Sequence, residues 1–183
     1  LSFRLRESGI LGGVRGPRTL HLDIVDYPGE WLLDLGLIGR SYAGWAGDVL
    51  ARIAGRAEAA GYLAALANVD AAAAHEETVA KALAATFTPY LAAARAAGYS
   101  DCTPGRFLLP GELAGSPVLT FAPLPAATAT PRGALWREME RRFEAYKEKV
   151  VKPFFRDHFA RIDRQVVLVD ALGAIHSGPR AVE

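Results

Sequence analysis

The first eight residues, LSFRLRES, alternate Leu1, Phe3 and Leu5 with Ser2, Arg4 and Arg6. A period of two sends successive side chains to opposite faces, so this pattern predicts a half-buried β-strand. GILGGVRGPR (9–18) holds four glycines and a proline and reads as a turn or flexible loop. TLHLDIVD (19–26) predicts a second strand, with Leu20, Leu22 and Ile24 on one side and Val25 adding burial on the other. The short connection makes the two strands a hairpin. YPGEWLLDLGLIGR (27–40) stops the second strand with Pro28 and Gly29 and then turns apolar.

From Ser41 the period changes. Ser41 is placed to cap a helix starting at Tyr42, and Trp45, Val49 and Ile53, then Leu63 and Leu66, recur at helical spacing. Gly44, Gly47, Gly55 and Gly61 argue against one continuous helix. In AAAAHEETVAKALAATFTPYLAAARAAGY (71–99), Val79, Leu83, Phe87, Tyr90, Leu91 and Ala94 share a face on an alanine-rich background. Pro89 is expected to kink or divide this helix near Thr88, and Gly98 to end it. DCTPGRFLLPGELAGSP (101–117) reads as a loop, VLTFAPLP (118–125) as a short strand, and ATATPRG (127–133) as a linker.

ALWREMERRFEAYKEKVVKPFFRDHFARIDR (134–164) carries the clearest helical stripe: Trp136, Met139, Phe143, Tyr146 and Val150. Glu138 with Arg142, Glu148 with Lys152, and Asp157 with Arg161 are spaced for ion pairs along it. Pro153 must break or bend the helix, and Phe154, Phe155, Phe159 and Ile162 continue an apolar face beyond it. QVVLVD (165–170) is almost wholly apolar and predicts a strand covered on both faces, ending in Asp170. The expected fold is an α/β sheet core interrupted by a mostly helical insertion: hairpin and following segment 1–40, insertion 41–133, core helix and parallel strand 134–183.

Composition narrows the function. The 183 residues are 51% hydrophobic and 22% charged, which describes a globular chain. The net charge of +1 gives no argument for nucleic-acid binding. Cys102 is the sole cysteine, so no internal disulfide forms, as suits a reducing compartment. LSFRLRES carries arginines where a signal peptide needs an apolar core, and no apolar run reaches transmembrane length. The chain opens on Leu1 and on residues already patterned as a strand, so the sequence is expected to be part of a longer protein.

The candidate chemistry sits in DYPG (26–29). A carboxylate at a strand end, Asp26, suits a Mg²⁺ ion beside a nucleotide phosphate. Gly29 can bring its amide close to a γ-phosphate, and Glu30 is placed to orient an attacking water, although its charge beside phosphate is a cost. The alternative is a strand ending in a Pro-Gly turn with a solvated Asp26. Arg156, Arg161, Arg164 and Lys152 cluster near the end of the last helix; a solvated face paired with Asp157 and Asp163 weighs more than an arginine reaching a phosphate. Asp170 reads as structural or capping before catalytic. His21, His75, His158 and His176 show no metal spacing with Cys102, and His158 reads as packed among aromatics. Ser41, Ser100 and Ser177 lack the context of a hydrolase nucleophile. Trp31, Leu32 and Leu33 are expected to anchor the segment to the core, with a partner surface as the alternative.

LDIVDYPGEWLLDL (22–35), PGRFLLPGEL (104–113), VLTFAPLP (118–125) and VVKPFFRDHFARIDRQVVLVDALGAIHSGP (150–179) together resemble the YcjX-like family of P-loop nucleoside triphosphatases. The resemblance spans nearly all the chain. It implies a GTPase-like fold in which DYPG is the magnesium-side D-x-x-G switch, Glu30 stands where many GTPases use glutamine, and QVVLVD is the next core strand. It implies Mg²⁺ with GTP or ATP as cofactor and substrate, a stress-response role, and a bacterial cytoplasmic or inner-membrane-peripheral setting. The departure is that no G-x-x-x-x-G-K-[ST] loop and no [NT]-K-x-D motif occurs in these residues. By the family pattern they are expected outside the chain, which makes this the central part of an enzyme and inactive alone. The rival expectation is a non-catalytic module that binds a protein partner through the helical insertion.

Overall fold

The computed structural model describes residues 1–5, 18–126, 133–166, 168 and 172. Strands β1 (Ser2–Leu5) and β2 (Arg18–His21) pair antiparallel, Ser2 opposite His21 and Phe3 opposite Leu20. The predicted hairpin is present, but β2 ends at His21, short of Asp26. Its neighbours are not half-buried: Leu20, Leu22, Ile24 and Val25 are all exposed, Ile24 by 73%. Among the described residues no second layer covers them, so the alternation has a face but no core to bury it in.

The hydrophobic core lies in the helices. A short helix, α1 (Gly29–Leu33), runs into a 3₁₀ turn at Asp34–Leu37. Helix α2 (Tyr42–Ile53) starts where the sequence predicts, with the Ser41 hydroxyl accepting from the Gly44 amide at 3.2 Å. It buries Tyr42, Trp45, Val49 and Ile53. After α3 (Ala60–Leu66), α4 (Glu77–Ala96) runs unbroken through Pro89. Of the kink or division expected near Thr88, the division does not occur; burial of Phe87, Tyr90 and Leu91 holds the turn together although Pro89 supplies no N–H. Its end is as expected: Gly98 has φ +89°, and the amides of Gly98 and Tyr99 reach back to the Arg95 and Ala94 carbonyls.

The four-residue helix α5 (Gly105–Leu108) is followed by α6 (Leu135–Tyr146), a π-helical turn at Lys147–Val151, and α7 (Lys152–Asp157). The π turn sits immediately ahead of Pro153, which relieves the clash a proline makes with the preceding turn. Trp136, Met139, Phe143, Tyr146 and Val150 are all buried, as the stripe predicts. Trp45 stacks on Phe143 with ring centres 5.0 Å apart, so α2 and α6 share one core. Glu138 pairs with Arg142 at 2.7 Å, but Asp157 is held by Arg156 rather than by Arg161.

The segment 118–125 is not a strand. Pro117–Leu119 forms a 3₁₀ turn, and Phe121–Leu124 then crosses the core without a strand partner. Pro123 and Pro125 cannot donate to a ladder. Tyrosines satisfy this backbone instead: Tyr42 donates its hydroxyl to the Ala122 carbonyl (2.8 Å) and accepts from the Leu124 amide (3.0 Å), and Tyr62 donates to the Pro123 carbonyl. The strand expected at 165–170 falls partly outside the described residues; Gln165, Val166 and Leu168 are not in a strand, and Val166 and Leu168 are exposed.

Candidate functional site

After β2 the chain from Leu22 to Asp26 is exposed, Tyr27 and Pro28 are half-buried, and α1 begins at Gly29 with Pro28 at its N-cap. Asp26 is exposed, not delivered by a buried strand, because the chain from Leu22 to Val25 has no cover among the described residues. Its carboxylate has no ion pair or hydrogen bond to a described residue. A Cβ added at Gly29 would meet no heavy atom within 4 Å, so the backbone there is open to close approach.

Glu30 goes the other way. It is 7% exposed, and its carboxylate pairs with Arg95 on the last turn of α4. Its carbonyl lies so close to Gly105 that a Cβ added there would fall 1.8 Å from the oxygen. Trp31 points along the same interface, its indole donating to the Leu109 carbonyl at 2.9 Å, its ring facing Phe154 edge to face. Trp31 therefore anchors the segment, one of the two roles the sequence leaves open for it. Arg156, Arg161 and Arg164 are exposed; Arg156 pairs with Asp157, and Arg164 donates to the Asp163 carbonyl. His158 is exposed, with its ring 6.1 Å from Phe154 and 6.2 Å from Tyr27. His176, Ser177 and Asp170 lie outside the described residues. Among the described residues no three His, Cys, Asp or Glu side chains gather as a metal cluster.

The residue that sequence reasoning missed is Asp34. It is 2% exposed and accepts three hydrogen bonds: from the Gly105 amide (2.7 Å), the Arg106 amide (3.2 Å) and the Tyr146 hydroxyl. One carboxylate thus ties the segment after DYPG to α5 and to α6. The available signal is an acid four residues after Glu30 in an otherwise apolar run, which puts both carboxylates on one side of the turn.

Burial pushes the Asp34 carboxyl up to about 6, against the pull of the three donors and of the Arg106 charge. The native state therefore binds this proton more tightly than the unfolded chain. The associated stability is complete below about pH 4 and is lost as pH rises through about 6, a change of about 3 kcal/mol. The stability of the native protein relative to Asp34→Asn is expected to fall by that amount between pH 4 and pH 7 in urea titrations. A flat difference would mean that Asp34 titrates as an ordinary solvated acid.

All 183 residues match one family model, described as the YcjX-like family, DUF463. The chain belongs to the YcjX-like family. The resemblance carried by LDIVDYPGEWLLDL and the later strings is thereby established. Two curated relatives are named "Ras-like GTPase YcjX". The protein of Shewanella oneidensis is 40% identical over 189 residues, covering 97% of this chain and 39% of the relative. That of Escherichia coli is 38% identical over 191 residues, covering 99% of this chain and 41% of the relative. This YcjX-like chain spans about two fifths of the length of the curated relatives it matches. Among its described residues no helix is long and apolar enough to cross a membrane.

Proposed function

We propose that this chain is the switch-bearing part of a Mg²⁺-dependent P-loop nucleoside triphosphatase, with GTP the preferred nucleotide. The observation that carries the reading is the D-x-x-G segment itself: an Asp26 carboxylate with no partner among the described residues, three positions before the open backbone at Gly29. Relatives named as Ras-like GTPases support it and favour GTP over ATP. The sheet core of such an enzyme would be completed by residues beyond those described; the exposed apolar hairpin β1–β2 suits that role.

Asp26 fits a Mg²⁺ ion in the way nucleotide sites hold it, through one carboxylate plus phosphate oxygens, rather than through a dedicated cage. The ion supplies charge neutralisation on the phosphates. The Gly29 amide donates to the terminal phosphate, and Glu30 orients the attacking water once it leaves Arg95. The chemistry needs no covalent intermediate; positioned dipoles and charges lower the barrier. Because Glu30, Trp31 and Asp34 all hold the helical domain, any shift at Gly29 reaches α4, α5 and α6 directly. A cytoplasmic setting, at the membrane surface or away from it, and a stress-response role complete the reading.

The test is nucleotide binding and turnover by the full-length protein, with GTP and ATP, with Mg²⁺ and after its removal by EDTA. Mg²⁺-dependent binding with GTP preferred is the expected result. Nucleotide-independent behaviour throughout would favour a module that binds a protein partner through its helices.

A further inference from the structure

A cleft of about 340 Å³ opens on the side of the switch segment that faces α7, lined in part by Tyr27, Trp31, Arg106, Lys149, Phe154 and His158. Its most unusual member is Arg106. The side chain is almost fully buried, with the guanidinium carbon 3.3 Å from the centre of the Trp31 ring. Its Nη1 has no hydrogen-bond partner among the described residues. The nearest carboxylate oxygen, on Glu112, is 3.6 Å away, beyond hydrogen-bonding distance, on a side chain 75% exposed. Gly111 leaves the space beside it open: a Cβ there, at φ +56°, would approach Nη1 to 3.5 Å.

A buried guanidinium N–H without an acceptor is costly, and native structures rarely keep one without a reason. Lys149 on the same cleft is exposed and has no ion pair among the described residues. Of the two acids on the rim, Asp157 is engaged by Arg156 at 2.6 and 2.7 Å, and Glu112 is free to swing out. Two cations therefore line the cleft between aromatic walls: Lys149 has no ion pair among the described residues, and Arg106, whose charge also acts on Asp34, keeps Nη1 without a hydrogen bond and has only the exposed Glu112 as a loose ion-pair partner. The volume lies at the low end of small-molecule pockets, about 300–1,000 Å³.

We propose that this cleft binds a small organic anion, a phosphate or carboxylate group received by Arg106 and Lys149 and carried on a flat apolar body that packs against Tyr27 and Phe154. Glu112 is the displaceable placeholder. Since Tyr27 lies within DYPG and Trp31 two residues after it, the occupant touches the switch segment. The binding itself does not depend on the nucleotide reading.

Isothermal titration of the full-length protein with phenyl phosphate, benzoate and inorganic phosphate, at fixed ionic strength, tests it. Saturable binding of phenyl phosphate or benzoate is expected, weaker binding of inorganic phosphate, and none of benzyl alcohol. The order of the first two assigns the anionic group. Lys149→Glu should weaken binding about tenfold and Glu112→Gln should tighten it about threefold, through the charge each changes at the cleft. Lys149 is exposed and has no ion pair among the described residues, so thermal unfolding should not move in Lys149→Glu. Asp26→Ala should leave phenyl phosphate binding unchanged, which separates this site from nucleotide binding. Absence of saturation, or equal affinity in the native, Lys149→Glu and Glu112→Gln proteins, would overturn the proposal.

Discussion

Gly105→Ala is expected to destabilise the protein by about 3 kcal/mol or more, the range of severe overpacking in a closed interior. The added Cβ would lie 1.8 Å from the Glu30 carbonyl oxygen and 2.5 Å from its carbon. Neither atom can rotate away, because both are backbone and α1 is fixed on each side of them. The Glu30 carboxylate is held by Arg95, and the Asp34 carboxylate by the amides of Gly105 and Arg106. Relief needs α1 and α5 to separate by more than an ångström, and that separation breaks both hydrogen bonds to a buried acid. Gly61→Ala is the control. A Cβ at Gly61 meets nothing within 4 Å, and the residue lies inside α3, so alanine there should stabilise by about 0.5–1 kcal/mol. Urea unfolding of the two variants beside the native protein checks both. If Gly105→Ala unfolds at the native midpoint, α1 does not dock on α5, and the route from switch to helical domain fails with it.

That interface shows where sequence reading ends. The helices were legible because their signal is local: Ser41 caps α2, Gly98 closes α4, and the Trp136–Val150 stripe repeats at helical spacing. The strand expected at 118–125 was misread because an apolar run between prolines looks alike whether its backbone meets a neighbouring strand or the hydroxyls of Tyr42 and Tyr62. The residues of DYPG were legible as a motif, but their burial was not: the string LDIVD reads as buried, yet Ile24 and Val25 stand exposed. Asp34 and Gly105 were not legible at all. They are 71 positions apart, and each is ordinary in its own string; only the fold makes one the acceptor and the other the gap that admits it.

Asp26→Ala is expected to lower Mg²⁺-dependent GTP turnover of the full-length protein by about 100-fold or more, as loss of a group that stabilises transition-state charge does. Asp26 is exposed and bonded to no described residue, so the fold should not register the change, and the unfolding midpoint should stay at the native value. Glu30 is the opposite case. It is buried against Arg95, whose own side chain is 54% exposed and stays solvated when the carboxylate is lost, so Glu30→Ala and Glu30→Gln should each cost only about 1 kcal/mol of stability. The two part in turnover. Glutamine keeps an oxygen able to accept from a water and carries no charge to repel phosphate, so Glu30→Gln should stay near the native rate while Glu30→Ala falls about tenfold. Equal turnover in both Glu30 variants would leave the residue as a strut between α1 and α4 and nothing more. Native turnover in Asp26→Ala would remove Asp26 from the reaction, and with it the carboxylate on which the D-x-x-G reading rests.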